Sequence, residues 1–213
     1  MPKSSTARLV ALTSAAIALG LVIAVAVRLW PSADIRAKKS LENDVTGAAL
    51  IGGPFTLTDQ HGTRISDSSF RGRLMLVYFG YSYCPDVCPT DLAAMSTAID
   101  LLGLSGNAVQ PVFITIDPER DTVQRLAEYA SLFHPRLVAL TGTPDEIRQV
   151  AAEYRVYFEK SGSGPNYQVN HSDIIYLMDR NGGFITHFGQ GTTPEQIAAA
   201  IRQHLDQGSA QGS

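Results

Sequence analysis

Cysteine is almost absent from this sequence, whose 213 residues include only Cys84 and Cys88. Two thiols close at most one bridge within the chain, which is too few for a disulfide scaffold, so the fold must be held by its hydrophobic core. The same scarcity excludes a four-sulfur zinc site. Any further metal ligand would have to be histidine, carboxylate or a group from a partner.

An excess of positive charge is missing as well. The chain has 17 basic and 20 acidic residues and a formal net charge of −3. It therefore offers no basic field, and we predict no nucleic-acid partner. No internal repeat is found along the chain. Once the apolar N-terminal segment is set aside, the length suits one domain of ordinary size.

Residues 9–27 contain no charged side chain and consist mainly of Leu, Ile, Val and Ala. At helical rise they reach roughly 28 Å, about the thickness of a bilayer core, and Trp30 follows at the depth of the interface. We predict a flank over residues 1–8, an uncleaved transmembrane anchor over 9–27 and a tether over 28–49. The alternative is a cleaved signal peptide processed at Ala24–Ala26. Lys and Arg occur on both sides of the span, so their distribution leaves its orientation open.

Both cysteines lie at a predicted turn between a strand and a helix, at residues 81–90, which we call the cysteine turn. Leu74–Phe79 is an apolar run typical of a buried strand, and Asp91–Ile99 places apolar residues at intervals of three and four, as a helix does. Pro89 suits the first helical turn, where its missing N–H is no loss. Cys88 is therefore expected at the helix entrance, where unpaired N–H groups lower the pKa of a thiol.

The rest of the pattern predicts one α/β domain over residues 50–206, followed by a disordered tail over 207–213. The predicted strands are 55–58, 63–65, 74–79, 109–116, 137–140, 154–159, 173–178 and 184–188, and the predicted helices are 91–99, 121–133, 143–153 and 194–205. This order favours a central mixed sheet flanked by helices. A cysteine motif at the carboxyl end of the central strand fits a thioredoxin-like fold.

The spacing of the thiols allows more than one chemistry. If the turn is helical, Cys84 and Cys88 share a face, close enough either to form a disulfide or to bind one metal ion. Thiolates suit Cu(I), or zinc when further ligands complete a tetrahedron. Cys-x-x-x-Cys is one residue longer than the usual redox motif, which weakens a thiol-exchange interpretation without excluding it. A purely structural disulfide is the plainest alternative.

His171 is the best histidine candidate for a third ligand. It follows a polar, Gly-rich loop at 161–166 and precedes a strand, where a thioredoxin-like fold brings the chain opposite the cysteine turn. The remaining histidines fit surface, helix-end or core positions: His61, His134, His187 and His204.

Nearby polar and aromatic residues have secondary candidate roles. Asp86 and Asp173 are the carboxylates available as a fourth donor, although backbone capping explains them as well. The run Asp117–Asp121 is expected to shape a rim loop, and Asp121 to cap the next helix. Phe79, Tyr81 and Tyr83 are candidate walls of the site, with core packing an equal explanation for Phe79.

The chain resembles the Sco/SenC family. The resemblance rests on Tyr81–Pro89, on Asp117–Thr122, on His171 and on the single N-terminal span, and it covers roughly residues 50–205. It implies a membrane-anchored, thioredoxin-like copper protein that helps to assemble the CuA centre of cytochrome c oxidase. Carried over by position, the implied copper ligands are Cys84, Cys88 and His171.

The resemblance also implies partners and a location. Copper, as Cu(I) or Cu(II), is the implied cofactor, and the copper-receiving subunit of cytochrome c oxidase is the implied recipient. Another periplasmic copper chaperone or a thioredoxin-like reductant is a further implied partner. The domain is expected to face the periplasm, anchored in the inner membrane.

Three other functions stay open at this point. A thiol–disulfide reductase would use Cys84 as nucleophile and Cys88 as resolving thiol to keep a partner's copper-site cysteines reduced. A peroxiredoxin-like peroxidase would use one thiolate supported by an arginine. A disulfide-stapled interaction domain would have no chemistry of its own. A metallochaperone, rather than an enzyme, is the favoured interpretation.

Overall fold

The computed structural model describes residues 51–210, with side chains described to Asp206. The predicted flank, anchor and tether at 1–8, 9–27 and 28–49 lie outside the described residues. Between residues 51 and 210, no helix is long and apolar enough to cross a membrane.

The described chain alternates strands and helices. The strands are β1 (Thr56–Asp59), β2 (Arg64–Ser66), β3 (Leu74–Gly80), β4 (Val109–Thr115), β5 (Val138–Thr141), β6 (Phe158–Ser161), β7 (Gln168–His171), β8 (Ile174–Met178) and β9 (Phe184–Gly189). The α-helices are α1 (Val87–Leu101), α2 (Val123–Ala130), α3 (Pro144–Glu153) and α4 (Pro194–Ala210). Short 3-10 helices occur at Asp67–Phe70 and Gly103–Ala108.

Seven strands form one mixed sheet in the order β2-β1-β5-β4-β3-β8-β9. β3, β4 and β5 run parallel, whereas β1, β8 and β9 join their neighbours antiparallel. Helix α1 packs against α4, and α2 packs against β5. The predicted mixed sheet flanked by helices is confirmed.

The core lies on β3 and β4, where every residue is buried. Their near-continuous apolar composition is what a strand needs when both of its faces are covered. On α1, the apolar positions Leu92, Met95 and Ile99 are buried. The predicted apolar stripe of the helix is therefore buried in the core. This packing fixes the position of Cys88 in the first turn of the helix.

Several predicted boundaries differ from the structure. The predicted strand at 154–159 is displaced, because Tyr154 is the C-cap of α3 and the next strand starts only at Phe158. The predicted cap Asp121 does not cap α2, since the Thr122 side chain accepts from the N–H of Arg125 instead. Propensity reasoning misses such shifts when tertiary contacts compete for a side chain.

The last helix is also longer than predicted. α4 continues to Ala210, so residues 207–210, predicted as part of a disordered tail, are helical, while 211–213 lie outside the described residues. The prediction stopped early because Gly208 and Ser209 are poor helix formers. Extending an existing helix costs little, since each added residue gains a hydrogen bond without a new nucleus.

Thr143 starts α3 with a reciprocal cap, and replacing it should cost stability. Its hydroxyl accepts from the N–H of Glu146 at 3.2 Å, and the Glu146 carboxylate accepts from the N–H of Thr143 at 2.8 Å. We expect Thr143→Ala to lower the free energy of unfolding of the full chain by about 1 kcal/mol in chemical denaturation. Thr143→Ser keeps the hydroxyl and should lose much less. Equal losses in both variants would contradict this account.

Candidate metal centre

The candidate site lies at the carboxyl edge of the parallel strands, where open α/β sheets bind ligands. β3 ends at Gly80 and leads into the cysteine turn, and the parallel β4 ends at Thr115 beside it. β8 runs antiparallel to β3, with Tyr78 paired to Ile175. The start of β8, and His171 just before it, is thereby brought to the same edge.

The cysteine turn sets the two thiols in different environments. The N–H of Cys84 donates to the carbonyl of Tyr81 at 3.1 Å, and Cys84 is half-buried. Cys88 lies in the first turn of α1 and is fully buried. Both are free thiols. Cys88 is thus at the helix entrance as predicted, with Cys84 nearer the surface.

His171 faces the buried thiol with a defined ring nitrogen. Its Nε2 lies 3.5 Å from the Sγ of Cys88, and its Nδ1 lies 2.9 Å from the carbonyl oxygen of Ser172. A carbonyl only accepts, so Nδ1 carries the proton and donates it. In the neutral ring, Nε2 then holds the free lone pair that a metal needs, directed at the sulfur.

Two tyrosines hold the imidazole from its sides. The rings of Tyr78 and Tyr81 meet His171 edge-on, with centroids 6.3 and 6.0 Å away. Both tyrosines are buried. They restrict the orientation of the ring and limit the access of water to its contact with the thiol.

The pKa values of the two thiols are shifted in opposite directions. Hydrogen bonds from Cys88 and His171 lower the pKa of Cys84, with the Cys88 contact the larger cause. The pKa of Cys88 is raised by the same contact with Cys84 and by burial. Burial lowers the pKa of His171, but its hydrogen bonds to Cys84 and Ser172 outweigh this, and the net pKa is raised. Thiolate character therefore resides on the more exposed sulfur.

The two candidate carboxylates are placed differently. Asp86 is exposed and stands at the start of α1, but its side chain makes no capping hydrogen bond. Asp173 accepts from the hydroxyl of Tyr78 at 2.9 Å. Burial, together with a hydrogen bond to Asp173, raises the pKa of Asp91 to about 7. Half-buried Asp173 thus links the buried side chains of Tyr78 and Asp91 into a polar cluster, which sequence reasoning did not find.

Asp121 ties the loop after β4 to the cysteine turn. Its carboxylate accepts from the N–H of Ser82 at 3.0 Å, from the Ser82 hydroxyl at 2.5 Å and from the Thr115 hydroxyl at 2.6 Å. Asp121 is fully buried, and this burial raises its pKa although the three donors oppose the rise. The expected role of Asp117–Asp121 in shaping the rim is supported, through this contact and not through a helix cap.

The candidate aromatic walls fall into two groups. Phe79 is buried against Tyr154 and Tyr176 and belongs to the core. Tyr81 contacts His171, whereas Tyr83 is 49% exposed on the rim. Only Tyr81 of the three therefore walls the histidine directly.

The three predicted ligands lie at the same edge of the sheet, but their side chains are not arranged in a metal-binding geometry. Within residues 51–210, no group of three or more His, Cys, Asp or Glu side chains is arranged so that it could hold a metal ion. Cys88 contacts His171 directly, and both residues are close enough to Cys84 to lower the pKa of its thiol. Ligation by Cys84, Cys88 and His171 stays a prediction.

Gly80 is a site residue that sequence reasoning missed. A Cβ at this position would lie 2.9 Å from the Sγ of Cys88, 3.0 Å from a ring carbon of Tyr78 and 3.1 Å from a ring carbon of Phe113. Real Cβ atoms essentially never approach as closely as the first distance, and the other two are tighter than most real Cβ contacts. The available signal was a glycine at the end of a buried apolar strand, which often marks a close approach of another group.

The fold and the site define an α/β protein that presents a dithiol and an imidazole at the carboxyl edge of its sheet. The chain belongs to the SCO1/SenC family, whose model matches residues 43–206. It is 40% identical over 204 residues to Protein SenC of Rhodobacter capsulatus, covering 95% of this chain and 91% of that protein.

Solved structures agree with this assignment. Copper-bound ScoI of Bradyrhizobium japonicum has 44% sequence identity and a TM-score of 0.68, covering 72% of this chain and 98% of its own. BsSco, which has an identified disulfide switch, is a member of the Sco family of cytochrome c oxidase assembly proteins. It has 25% identity and a TM-score of 0.57 and covers 71% of this chain and 91% of its own. The family thus includes proteins that bind copper.

Replacing Gly80 tests how closely the site is packed. We expect Gly80→Ala to lower the free energy of unfolding by about 1–3 kcal/mol, because the methyl group must displace the Cys88 sulfur or its aromatic neighbours. Chemical denaturation measures this loss. Gly189→Ala is the matched control, since a Cβ there meets nothing within 4 Å. Equal stability of the two alanine variants would show that the space around Gly80 is not closely packed.

Proposed function

We propose that this chain is a membrane-anchored periplasmic copper chaperone that binds copper through Cys84, Cys88 and His171 and delivers it to the CuA centre of cytochrome c oxidase. The observation that carries the proposal is the 3.5 Å approach of the His171 Nε2 to the Cys88 sulfur, with the other ring nitrogen already satisfied. Copper bound to ScoI of Bradyrhizobium japonicum supports the choice of metal.

The donor set suits copper on chemical grounds. Two thiolates and one neutral imidazole give Cu(I) a soft, three-coordinate site. Cu(II) favours a further donor, for which Asp86 and Asp173 are the nearest carboxylates in sequence. Asp86 is the freer of the two, because Asp173 already accepts from Tyr78. Copper is in this proposal the cargo of the protein, carried and then handed on.

Delivery follows from the unequal burial of the ligands. Cys88 is fully buried in the first turn of α1, whereas Cys84 is only half-buried in the cysteine turn. A thiolate or imidazole of the recipient can replace the outer ligand first, so that copper passes between proteins without being released as a free ion. The partners proposed are the copper-receiving oxidase subunit and, for loading or reduction, another periplasmic copper chaperone or a thioredoxin-like reductant.

The membrane location is part of the same proposal. It rests on the uncharged apolar run at 9–27 and on family resemblance. The single-pass anchor in the inner membrane, with the domain in the periplasm, is testable by protease protection of spheroplasts. The proposal requires that the domain be digested from outside while a cytoplasmic marker stays intact.

A competition titration tests copper binding directly. The reduced full chain in detergent is titrated with Cu(I) against a chromophoric chelator, together with Cys84→Ser, Cys88→Ser and His171→Ala. We expect one tight equivalent in the parent, with the affinity falling roughly 100-fold or more in each cysteine variant and at least about 10-fold without the histidine.

His187→Ala is the control, because His187 is an exposed histidine on β9, distant from the cysteine turn in sequence. It should bind copper as the parent does. Undiminished affinity in either cysteine variant would contradict the proposed site, and so would an equal loss in the two histidine variants.

A second candidate function is reduction of a partner disulfide. The observation in its favour is the pairing of a half-buried free thiol of lowered pKa with a fully buried free thiol. The Cys84 thiolate would attack the partner disulfide, forming a mixed disulfide and releasing one partner thiol. Cys88 would then displace the second partner thiol and close the Cys84–Cys88 disulfide, so that two electrons pass to the partner. The disulfide switch of BsSco is consistent with this chemistry.

Thiol alkylation tests the asymmetry that this chemistry needs. We expect iodoacetamide to modify Cys84 well before Cys88 in the copper-free chain, by mass spectrometry of timed samples. Because the pKa of Cys84 is lowered, its thiolate persists as the pH falls below the usual thiol range, and its alkylation should slow less than that of free cysteine. Equal modification of the two thiols would argue against a nucleophile and resolving pair.

A further inference from the structure

The hairpin that carries His171 is separate from the main sheet. β6 and β7 pair only with each other, antiparallel, and Phe158 is paired with His171. A two-stranded hairpin is marginally stable by itself in water. The distance between His171 and the thiols therefore depends on what holds this hairpin in place.

Apolar packing holds the hairpin only in part. Val169 is its buried apolar residue, while Gln168 and Asn170 on either side are exposed. In β6, Phe158 is half-buried and Glu159–Ser161 is exposed. Polar contacts must therefore contribute to the docking of β7.

Side-chain contacts connect the hairpin and its loop to the rest of the rim. They are Lys160 Nζ to Glu119 Oε2 at 2.6 Å, Tyr167 hydroxyl to Asp117 Oδ1 at 2.6 Å, Arg120 Nη1 to the Pro165 carbonyl at 3.3 Å, and Tyr81 hydroxyl to Gln168 Oε1 at 2.9 Å. The first three reach the loop after β4, and the last reaches the cysteine turn. We refer to these contacts as the hairpin latch.

Arg120 occupies the centre of the hairpin latch. Its Nε donates to Asp117 Oδ2 at 2.5 Å, and its guanidinium carbon lies 3.6 Å from the ring centroid of Tyr167. The same carbon lies 4.8 Å from the ring of Tyr83 and 5.7 Å from that of Tyr81. One cation thus contacts aromatic rings on the hairpin loop and on the cysteine turn at once.

The planar shape of arginine is needed for this arrangement. A guanidinium can stack on a ring while its N–H groups donate in fixed directions, and an ammonium cannot do both. The Arg120 side chain is only 14% exposed, and its Nη2 is buried without a hydrogen-bond partner among the described residues. The missing hydrogen bond offsets part of the stabilisation that the other Arg120 contacts provide.

We propose that Arg120 is a positioning residue that holds the His171 hairpin against the cysteine turn and so sets the rate at which copper leaves. The proposal rests on the proposed copper-binding function and adds its regulation. When the guanidinium loses its contacts with the Tyr167 ring and the Pro165 carbonyl, β7 moves away from the cysteine turn and His171 leaves the metal. Copper then stays on two sulfurs, where an incoming ligand can reach it.

A purely structural role for Arg120 is the competing explanation. The Asp117 side chain is fully buried and needs a positive partner, so removing Arg120 threatens the fold as well as the hairpin. Arg120→Lys separates the two roles. Lysine can keep the charge beside Asp117 but cannot reproduce the stacked fork that reaches Tyr167 and Pro165.

The test uses the full chain in detergent with Arg120→Lys, Arg120→Gln and the control Arg148→Gln. Arg148 is an exposed arginine that pairs with Asp145 at the start of α3. Copper release into excess chelator is followed by stopped flow, and nitrogen hyperfine structure in the Cu(II) electron paramagnetic resonance spectrum reports the bound imidazole. We expect release about tenfold faster in Arg120→Lys than in the parent, with weakened nitrogen coupling and an unchanged denaturation midpoint.

Unchanged release and unchanged nitrogen coupling in Arg120→Lys, with loss of stability only in Arg120→Gln, would overturn the positioning role. Equal acceleration in Arg148→Gln would overturn it too. Tyr167→Phe provides a second variant in case Arg120→Gln does not fold, because it removes only the hydroxyl contact with Asp117. It should speed release less than Arg120→Lys does.

A copper-free measurement separates this proposal from the proposed function. Hydrogen exchange of the β7 amides in the apo chain should be faster in Arg120→Lys than in the parent and unchanged in Arg148→Gln. If the parent binds no copper, the copper function fails while this exchange result still decides whether Arg120 holds the hairpin. Tight copper binding in the parent with unaltered β7 exchange in Arg120→Lys would overturn the positioning role alone.

Discussion

The approach of the His171 imidazole to the Cys88 sulfur is the interaction around which the candidate metal centre is built. It is favoured by a strand that ends in glycine, because a Cβ at Gly80 would lie 2.9 Å from the sulfur and force one of the two to shift. It also requires a proton on Nδ1, which the Ser172 carbonyl secures. A buried thiol and a lone pair directed at it are costly to assemble in the absence of a ligand. The buried core of β3 and β4 fixes the cysteine side of this contact, whereas the contacts of the β6–β7 hairpin hold the histidine side.

The cysteine side of the site is held more rigidly than the histidine side. Cys88 belongs to α1, which is packed into the core, whereas His171 ends a hairpin outside the main sheet. A metal held between a fixed and a movable ligand can be bound tightly and still be handed on, because one ligand can leave before the others. The same asymmetry, with an outer and an inner thiol, also serves disulfide exchange. The two proposed functions, copper delivery and reduction of a partner disulfide, would therefore use the same arrangement of side chains.

Local patterns predicted the framework well. The apolar runs of β3 and β4 and the spacing of Leu92, Met95 and Ile99 on α1 were all readable, because burial on both faces of a strand or on one stripe of a helix leaves a direct mark on composition. The separate β6–β7 hairpin was not found, since its strands alternate weakly and are largely exposed. Asp121 was wrongly predicted to be a helix cap because its partners, Ser82 and Thr115, are supplied by other segments.

By itself, the sequence determined which chemistry is available: two thiols four residues apart, one histidine before a buried strand, and a family motif that relates the chain to copper proteins. Only the tertiary structure decided which sulfur is buried, which imidazole nitrogen faces it, and that Arg120 joins the hairpin to the cysteine turn. The physical reason is that local patterns record burial and backbone preference. Contacts between segments far apart in the chain depend on strand order and register, which no local pattern contains.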